Sequence, residues 1–558
     1  MRLWRLWSSW RARRAEAAKR VAVTTISATM VQPATPPPPT QPCNPTPGPT
    51  AGEEDKKTSE QLLKPPKLLE EDEVIERGGW SNQFEFFLSC VAYAVGIGNV
   101  WRFPYLAYKN GGAAFVIPYG IMLLCGGLPL FFMELALGQY VSLGPNKLFQ
   151  EIAPIFAGVG WAMIMISALT AIHFNIILAW TFFYTFASFN APLPWHGCNH
   201  DFNTPSCYPE DEASLCMMNN QSLFYYNKTC VDIDEYCATA NFEGFNETYC
   251  IDPNDTSIIH PASEVHHRII AAEDYFMQRM MRYEGKTWED MGSMNWELAG
   301  CLFIAWAIVA ASLIKGVQSS GKVVYFTATF PFLVLIILLV RGLTLEGAYK
   351  GIEFYMLKPN MTRLQEVDVW REAATQIFYS LSASFGGLIT LASYNKFKNN
   401  CMRDAIVVSF INCGTSFFAG FAVFGILGFL ANEMGVEVED VVQSGAGLAF
   451  IAYPSAVIRM PVPTFWAIIF FFMLVTLGLG SQFAYVETLT TSIFDQWEGT
   501  RKYKGLVVVG ICFAMFLCGL SMCLEGGFYM FELFFTWSAG LSVLFVALME
   551  IFCVIYVF

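Results

Sequence analysis

The stretch FLSCVAYAVGIGNVWRFPYLAYKNGGAAF, residues 87–115, decides how the rest of the chain is read. It is apolar enough to enter a bilayer, yet two glycines flank one residue at Gly96-Ile97-Gly98 and Pro104 follows. Glycine costs a helix about 1 kcal/mol against alanine. Backbone left unpaired in lipid costs several times more, so an interruption at membrane depth survives only where it lines a cavity or finds partners. Close packing of helices through small residues is the competing explanation.

Composition supports a membrane setting. The 558 residues are 54% hydrophobic and 15% charged, against about 25% charged in an ordinary soluble domain. The formal net charge of −13 lies largely in loops and the tail. Residues 1–80 are polar, with a PPPP run and the acidic–basic clusters EEDKK and EEDE, and read as a disordered cytoplasmic N-terminal tail. Its Arg-rich start has no h-region or cleavage site of a secretory signal. A transit peptide or a surface-lying amphipathic helix is the alternative for that start.

From residue 81 to 558 the chain reads as an all-α transmembrane core. A span needs roughly 20 apolar residues. Ten candidates are expected at 83–108, 113–138, 158–188, 297–315, 323–341, 371–394, 404–431, 464–490, 505–524 and 528–558. The sixth, QIFYSLSASFGGLITLASYN, has a polar, glycine-containing middle like the first. Breaks in spans one and six suggest an inverted five-plus-five repeat, a pattern that points to the binding site of many membrane symporters.

Basic residues in the tail and after spans six and eight (Lys396, Lys398, Arg403; Arg501, Lys502, Lys504) place those segments in the cytoplasm. The loop 190–296 is then extracellular, in a multi-pass plasma-membrane protein. It holds six cysteines and the sequons at Asn220, Asn227, Asn246 and Asn254; a fifth, Asn360, follows span five. Cys198 and Cys207 form the expected disulfide, in preference to a zinc site with His196 or His200.

Neutral oxygens cluster on spans one, six, seven and eight: Asn99, Ser380, Ser382, Ser384, Asn412, Thr415, Ser416 and Ser481. Oxygen donors of this kind suit a hard cation, although each alone is a common interhelical hydrogen bond. Arg102, Glu134 and Glu487 are costly in lipid and mark functional positions by default. No nucleophile–base arrangement is legible, and an enzyme is not expected. A channel stays open in principle, but no charged ring or hydrophobic gate is legible.

GNVWRFPYLAYKNGG (98–112), FFMELALGQY (131–140), QIFYSLSASFGGLITLASYNKF (376–397) and TLGLGSQF (476–483) resemble the sodium- and chloride-dependent neurotransmitter transporter family, nearest to its glycine transporters. The likeness runs from about Arg77 to the end. It implies twelve helices; only a ten-helix core is counted here, so the last two family helices are read as absent, in a fragment or an unusual end.

The resemblance also implies ligand sets. The first sodium would take the Ala94 carbonyl, Asn99, Ser380 and Asn412; the second, carbonyls of Ala92, Val95 and Leu477 with the Ser481 hydroxyl. Gly480 stands where some members supply a side-chain ligand. Chloride would sit among Tyr119, Gln376, Ser380 and Ser416. Substrate would lie against Gly96, Gly98, Phe174, Tyr379, Ser382 and Phe385, with Gly96 leaving room for a carboxylate. Arg102 belongs to the outer gate, and Arg77 with Asp495 to the inner gate, with Trp80, Tyr394 and Glu487 as neighbours.

Two departures stand out. His173 and Phe174 replace a tyrosine pair of which the second donates a hydroxyl to the substrate carboxylate. In span ten, Phe535 or Thr536 stands where an acid partners Arg102, with Glu532 one turn away as the expected substitute. The implied function is sodium- and chloride-coupled symport of a small amino acid, most of all glycine; the alternative is a non-transporting nutrient sensor or interaction protein. No cofactor or nucleic acid is expected beyond co-transported Na+ and Cl−, and a homo-oligomer is compatible with this reading.

Overall fold

The computed structural model describes residues 79–209, 215–216, 223–246, 248–252, 259–261, 269–283, 285–434, 437–438 and 448–557. Arg77, Asn220 and Asn254 lie outside the described residues, as does nearly all of the 1–80 tail.

Eight described helices are long and apolar enough to cross a membrane: 112–141, 154–187, 296–313, 319–343, 401–432, 463–496, 498–523 and 527–557. A ninth span is a pair, Gln83–Ala94 and Ile97–Lys109, bent by 50° at the glycine break. The expected sixth span is also a pair, Val367–Ser380 and Gly387–Ser393. It fails as a single apolar helix because its middle is polar and six residues long. Nine of the ten expected segments are thus long and apolar enough to span, the first as a bent pair, and the sixth lies at its expected place as an interrupted pair of helices.

Burial is inverted relative to a water-soluble protein. Leu333, Ile336 and Val340 on span five, and Phe513 and Leu517 on span nine, are exposed along one helix face each. Asn99, Gln376, Ser380, Asn412, Ser416, Gln482 and Thr488 are buried. Apolar side chains face the acyl chains and polar ones face inward, which is the stable arrangement where the solvent is hydrocarbon.

Small residues set the closest helix approaches. A Cβ on Gly138 of span two would lie 2.3 Å from the Ile389 carbonyl oxygen of span six, and one on Gly160 of span three 2.3 Å from the Pro145 oxygen. Such approaches let backbones touch and maximise dispersion contacts in lipid. Gly480 of span eight does the same against Ala92 of span one, where a Cβ would come within 2.9 Å of the carbonyl oxygen.

The polar loop between spans three and four carries three disulfides: Cys198–Cys207, Cys216–Cys230 and Cys237–Cys250. The first is the pair expected from sequence. Around them fold an antiparallel hairpin, Leu223–Tyr226 with Thr229–Asp232, and a three-stranded sheet of Glu243–Asn246, Tyr249–Ile251 and Ile259–Pro261. Buried Asp274 fastens this loop by accepting from Asn203 Nδ2 (2.9 Å), Thr204 N (2.9 Å) and Thr204 Oγ1 (3.0 Å). Nearby, Ser293 donates to Glu525 at 2.6 Å and Lys286 approaches it at 3.0 Å. The Ser293 hydrogen bond, with Lys286, holds the Glu525 carboxyl well below the usual range, at about 2, so this tie keeps its charge into acid where a free glutamate is protonated.

Gly138→Ala should cost about 1–3 kcal/mol, because the blocking atom is backbone and cannot rotate away. Gly158→Ala, with nothing within 4 Å of its Cβ, should be neutral or slightly stabilising. Thermal unfolding of the two variants in detergent compares them directly.

Candidate functional site

The two broken helices meet spans two, three, seven and eight at their interruptions. In span one the helix ends at Ala94, and Val95 (φ −88, ψ 88) and Gly96 (φ −111, ψ −171) are extended before Ile97 resumes it. Gly96 is required here for space and not for conformation, because a Cβ would lie 2.7 Å from Ser481 Oγ. Gly98 faces Tyr379 in the same way, with its Cβ position 3.2 Å from the ring.

In span six the break bends back on itself. Ser382 (φ 51), Ser384 (φ 66) and Gly386 (φ 79) all take left-handed conformations. Non-glycine residues pay for that geometry, and the surroundings must compensate. They do so through the backbone. Ser384 N donates to Glu134 Oε1 at 2.6 Å, and Ser167 Oγ donates to the Phe385 carbonyl at 2.5 Å. Ser384 Oγ also donates to Glu550 Oε2 at 3.3 Å. Glu134 is thus explained: it satisfies an amide that the unwound helix frees. Ser167 and Glu550 escaped notice in the sequence, although Glu550 is an acid inside a membrane span.

The residues expected around the first sodium converge. Asn99 Nδ2 donates to Asn412 Oδ1 (2.7 Å) and Ser380 Oγ (3.2 Å), and Asn412 Nδ2 to Ser380 Oγ (2.9 Å). Asn99 Oδ1 accepts from Gly96 N at 3.0 Å, tying the set to the break. The buried Ala94 stands at the end of that helix. In the second set, Ser481 Oγ donates to the carbonyls of Ala92 (3.4 Å) and Tyr93 (3.3 Å), while Val95 and Leu477 are buried in the same core.

The residues expected around chloride lie directly beside the first set. Tyr119 OH donates to Ser416 Oγ at 3.4 Å, and Asn99 Nδ2 to the same oxygen at 2.8 Å. Gln376 is fully buried, and neither its Nε2 nor its Oε1 has a partner among the described residues. An orphaned amide inside a protein costs about 1–3 kcal/mol. Hydroxyl and amide N–H donors without a hydrogen-bond acceptor are chemistry that suits an anion.

The expected substrate residues form an aromatic cluster. Phe174 stands edge-on to Tyr485, with ring centres 5.9 Å apart. Tyr485 is 5.4 Å from Tyr93 and 5.8 Å from Phe385, and Tyr379 is 6.5 Å from Phe385. Ser382 Oγ reaches the Tyr93 carbonyl at 3.4 Å. Tyr93 and Tyr485 were missed in the sequence because aromatic residues on apolar spans read as core.

At the other end, Asp495 accepts from Gly144 N at 2.7 Å and pairs with Arg501 at 3.4 Å. Trp80 Nε1 donates to the Leu391 carbonyl (3.0 Å), and Tyr394 OH bonds Thr491 Oγ1 (2.8 Å). Arg102 lies under the rings of Tyr379 and Phe535, at 4.8 Å and 5.6 Å from their centres. Glu532 does not take the part expected of it. It is exposed and accepts from Thr536 at 3.4 Å, and among the described residues no ion pair joins it to Arg102.

The model of the sodium:neurotransmitter symporter family matches residues 77–242 and 221–558. The chain belongs to this family. It is 47% identical over 497 residues to the human sodium- and chloride-dependent neutral and basic amino acid transporter B(0+), covering 88% of this chain and 74% of that protein. It is 46% identical over 494 residues to the Xenopus laevis sodium- and chloride-dependent glycine transporter 2, covering 88% of this chain and 60% of that protein. The human sodium- and chloride-dependent GABA transporter 2 is 45% identical over 493 residues, covering 88% and 74%. These relatives are transporters and not enzymes, and the transported ions are sodium and chloride. The chain is a multi-pass membrane protein of that kind.

Removing the Glu134 carboxylate leaves the Ser384 amide unpaired in a dry interior. Glu134→Ala should destabilise by about 1–3 kcal/mol, read as a lower unfolding temperature and a lower yield of folded protein. Glu134→Gln, which keeps a carbonyl acceptor, should recover much of the loss.

Proposed function

We propose that this chain carries a small amino acid, glycine before others, across the plasma membrane together with sodium and chloride by alternating access. The observation that carries the reading is the convergence of Asn99, Ser380, Asn412 and Ser416 at the junction of the two broken helices, one helical turn from Gln376, whose amide has no partner among the described residues. Neutral oxygens suit sodium, and an amide N–H with hydroxyls suits chloride. Ser416 is neutral where a carboxylate would otherwise balance the cation, and a mobile anion restores that balance. Ala92, Val95, Leu477 and Ser481 would hold the second sodium.

Gly96 supports a substrate that brings its own carboxylate, since no acidic side chain is available there. Partly unwound helices offer amide groups to such a ligand. Ser382, Phe385 and Tyr379 keep the space small. Ions and substrate ordering the breaks together would couple their binding, because each prefers the state the others stabilise. In this scheme the spans form two inverted repeats, the N-terminal tail is cytoplasmic, and Asp495 with Arg77 closes the inner end. The loop 190–296 would be extracellular, with glycans on the exposed Asn227, Asn246 and Asn360 and on Asn220 and Asn254.

One observation favours the second reading, a non-transporting sensor or interaction protein: Phe174 brings a ring without a hydroxyl to the cluster. Uptake of a radiolabelled amino-acid panel by cells with verified surface expression separates the two. The expected result is glycine uptake that needs external sodium and chloride and rises with Phe174→Tyr. Absence of sodium-dependent uptake for every amino acid, in both forms, would sink the symporter reading. A further expectation concerns the anion: Ser416→Glu should retain uptake when chloride is replaced by gluconate, whereas the parent chain loses most of it.

A further inference from the structure

We propose that Phe535 closes the outer gate by holding Arg102 through its aromatic face, in place of a carboxylate. The proposal rests on the alternating-access reading above. Arg102 brings a guanidinium into a largely apolar part of the molecule, where an unpaired charge is expensive. Among the described residues no carboxylate pairs with it. Glu532 is exposed and accepts from Thr536 at 3.4 Å. Glu372 is the acid whose charge reaches Arg102, but its oxygens are taken by Lys109 Nζ (2.7 Å) and Asn110 Nδ2 (2.8 Å). What Arg102 does meet are two rings, Tyr379 at 4.8 Å and Phe535 at 5.6 Å from their centres. Aromatic faces carry the negative part of a quadrupole and attract a cation more strongly as water is removed.

Phe535 is held for this purpose from three sides. It stacks on Trp101 at 5.9 Å and on Phe531 at 5.7 Å, and the His173 ring meets it edge-on at 6.0 Å. The ring therefore joins spans one, three and ten beside His173, the residue next to Phe174 in the chain. Separating Arg102 from Phe535 is the same motion as separating span ten from span one. Phe535 is a positioning residue here, with no contact to ions or substrate required of it.

The test varies the ring's charge distribution and leaves its shape nearly unchanged. Mono-, di- and trifluorophenylalanine are placed at position 535 in the full chain, and the thiol introduced by Phe174→Cys is labelled from outside with a membrane-impermeant reagent. The parent chain without that thiol gives the background, including any from Cys125 and Cys518, the exposed free cysteines among the described residues. Labelling should accelerate stepwise with each fluorine, reaching about 5- to 30-fold, with Phe535→Leu at the fast end and Phe535→Trp near the parent rate. A rate that stays flat across the fluorinated series, or Phe535→Leu labelled no faster than phenylalanine, overturns the proposal. Stepwise labelling in a protein that takes up no amino acid would leave the gate standing and remove the symport reading instead.

Discussion

Everything at the centre of this molecule depends on one hydrogen bond pattern: the pairing of backbone groups that two interrupted helices set free inside an apolar medium. The Glu134–Ser384 bond at 2.6 Å is its clearest member. A helix that breaks in water is repaired by solvent, but one that breaks in hydrocarbon must be repaired by protein. Span two supplies a carboxylate, span three a hydroxyl from Ser167, and Asn99 receives the amide of Gly96 within span one itself. Once these repairs are in place, the remaining lone pairs and N–H groups at the breaks are available to ions.

The same economy explains the charge pattern of the site. The expected ion positions are built from neutral amides, hydroxyls and carbonyls, so charge enters with the ligands. Arg102 at one end and Asp495 at the other are the charged groups nearest the expected gates. Each meets a different solution. Asp495 is held by a backbone amide and an arginine, whereas Arg102 is held by rings. An aromatic partner costs little to bury and needs no second desolvated charge, while a carboxylate would bring both a stronger attraction and a larger desolvation cost.

The loop between spans three and four follows a different logic from the spans. Its sheet and hairpin have too little apolar core to stand alone, and three disulfides with the Asp274 contacts supply the constraint. That a disulfide framework existed was legible from six cysteines in a polar stretch. The pairs Cys216–Cys230 and Cys237–Cys250 were not, because spacing alone leaves several connectivities open.

The sequence by itself determined the rough limits of the helical segments, the breaks in the first and sixth, the oxygen-rich faces and the family. Each is a local property, written in hydropathy, in glycine at membrane depth or in a contiguous motif. Only the tertiary structure decided what the breaks rest on and what faces Arg102. Glu134 and Ser384 are 250 positions apart, Ser384 and Glu550 are 166 apart, and Arg102 finds Phe535 from the far end of the chain. Partners that distant share no periodicity or spacing. Glu532 shows the limit most directly: one turn from Phe535 it shares that helix face, yet the fold leaves it exposed and bonded to Thr536.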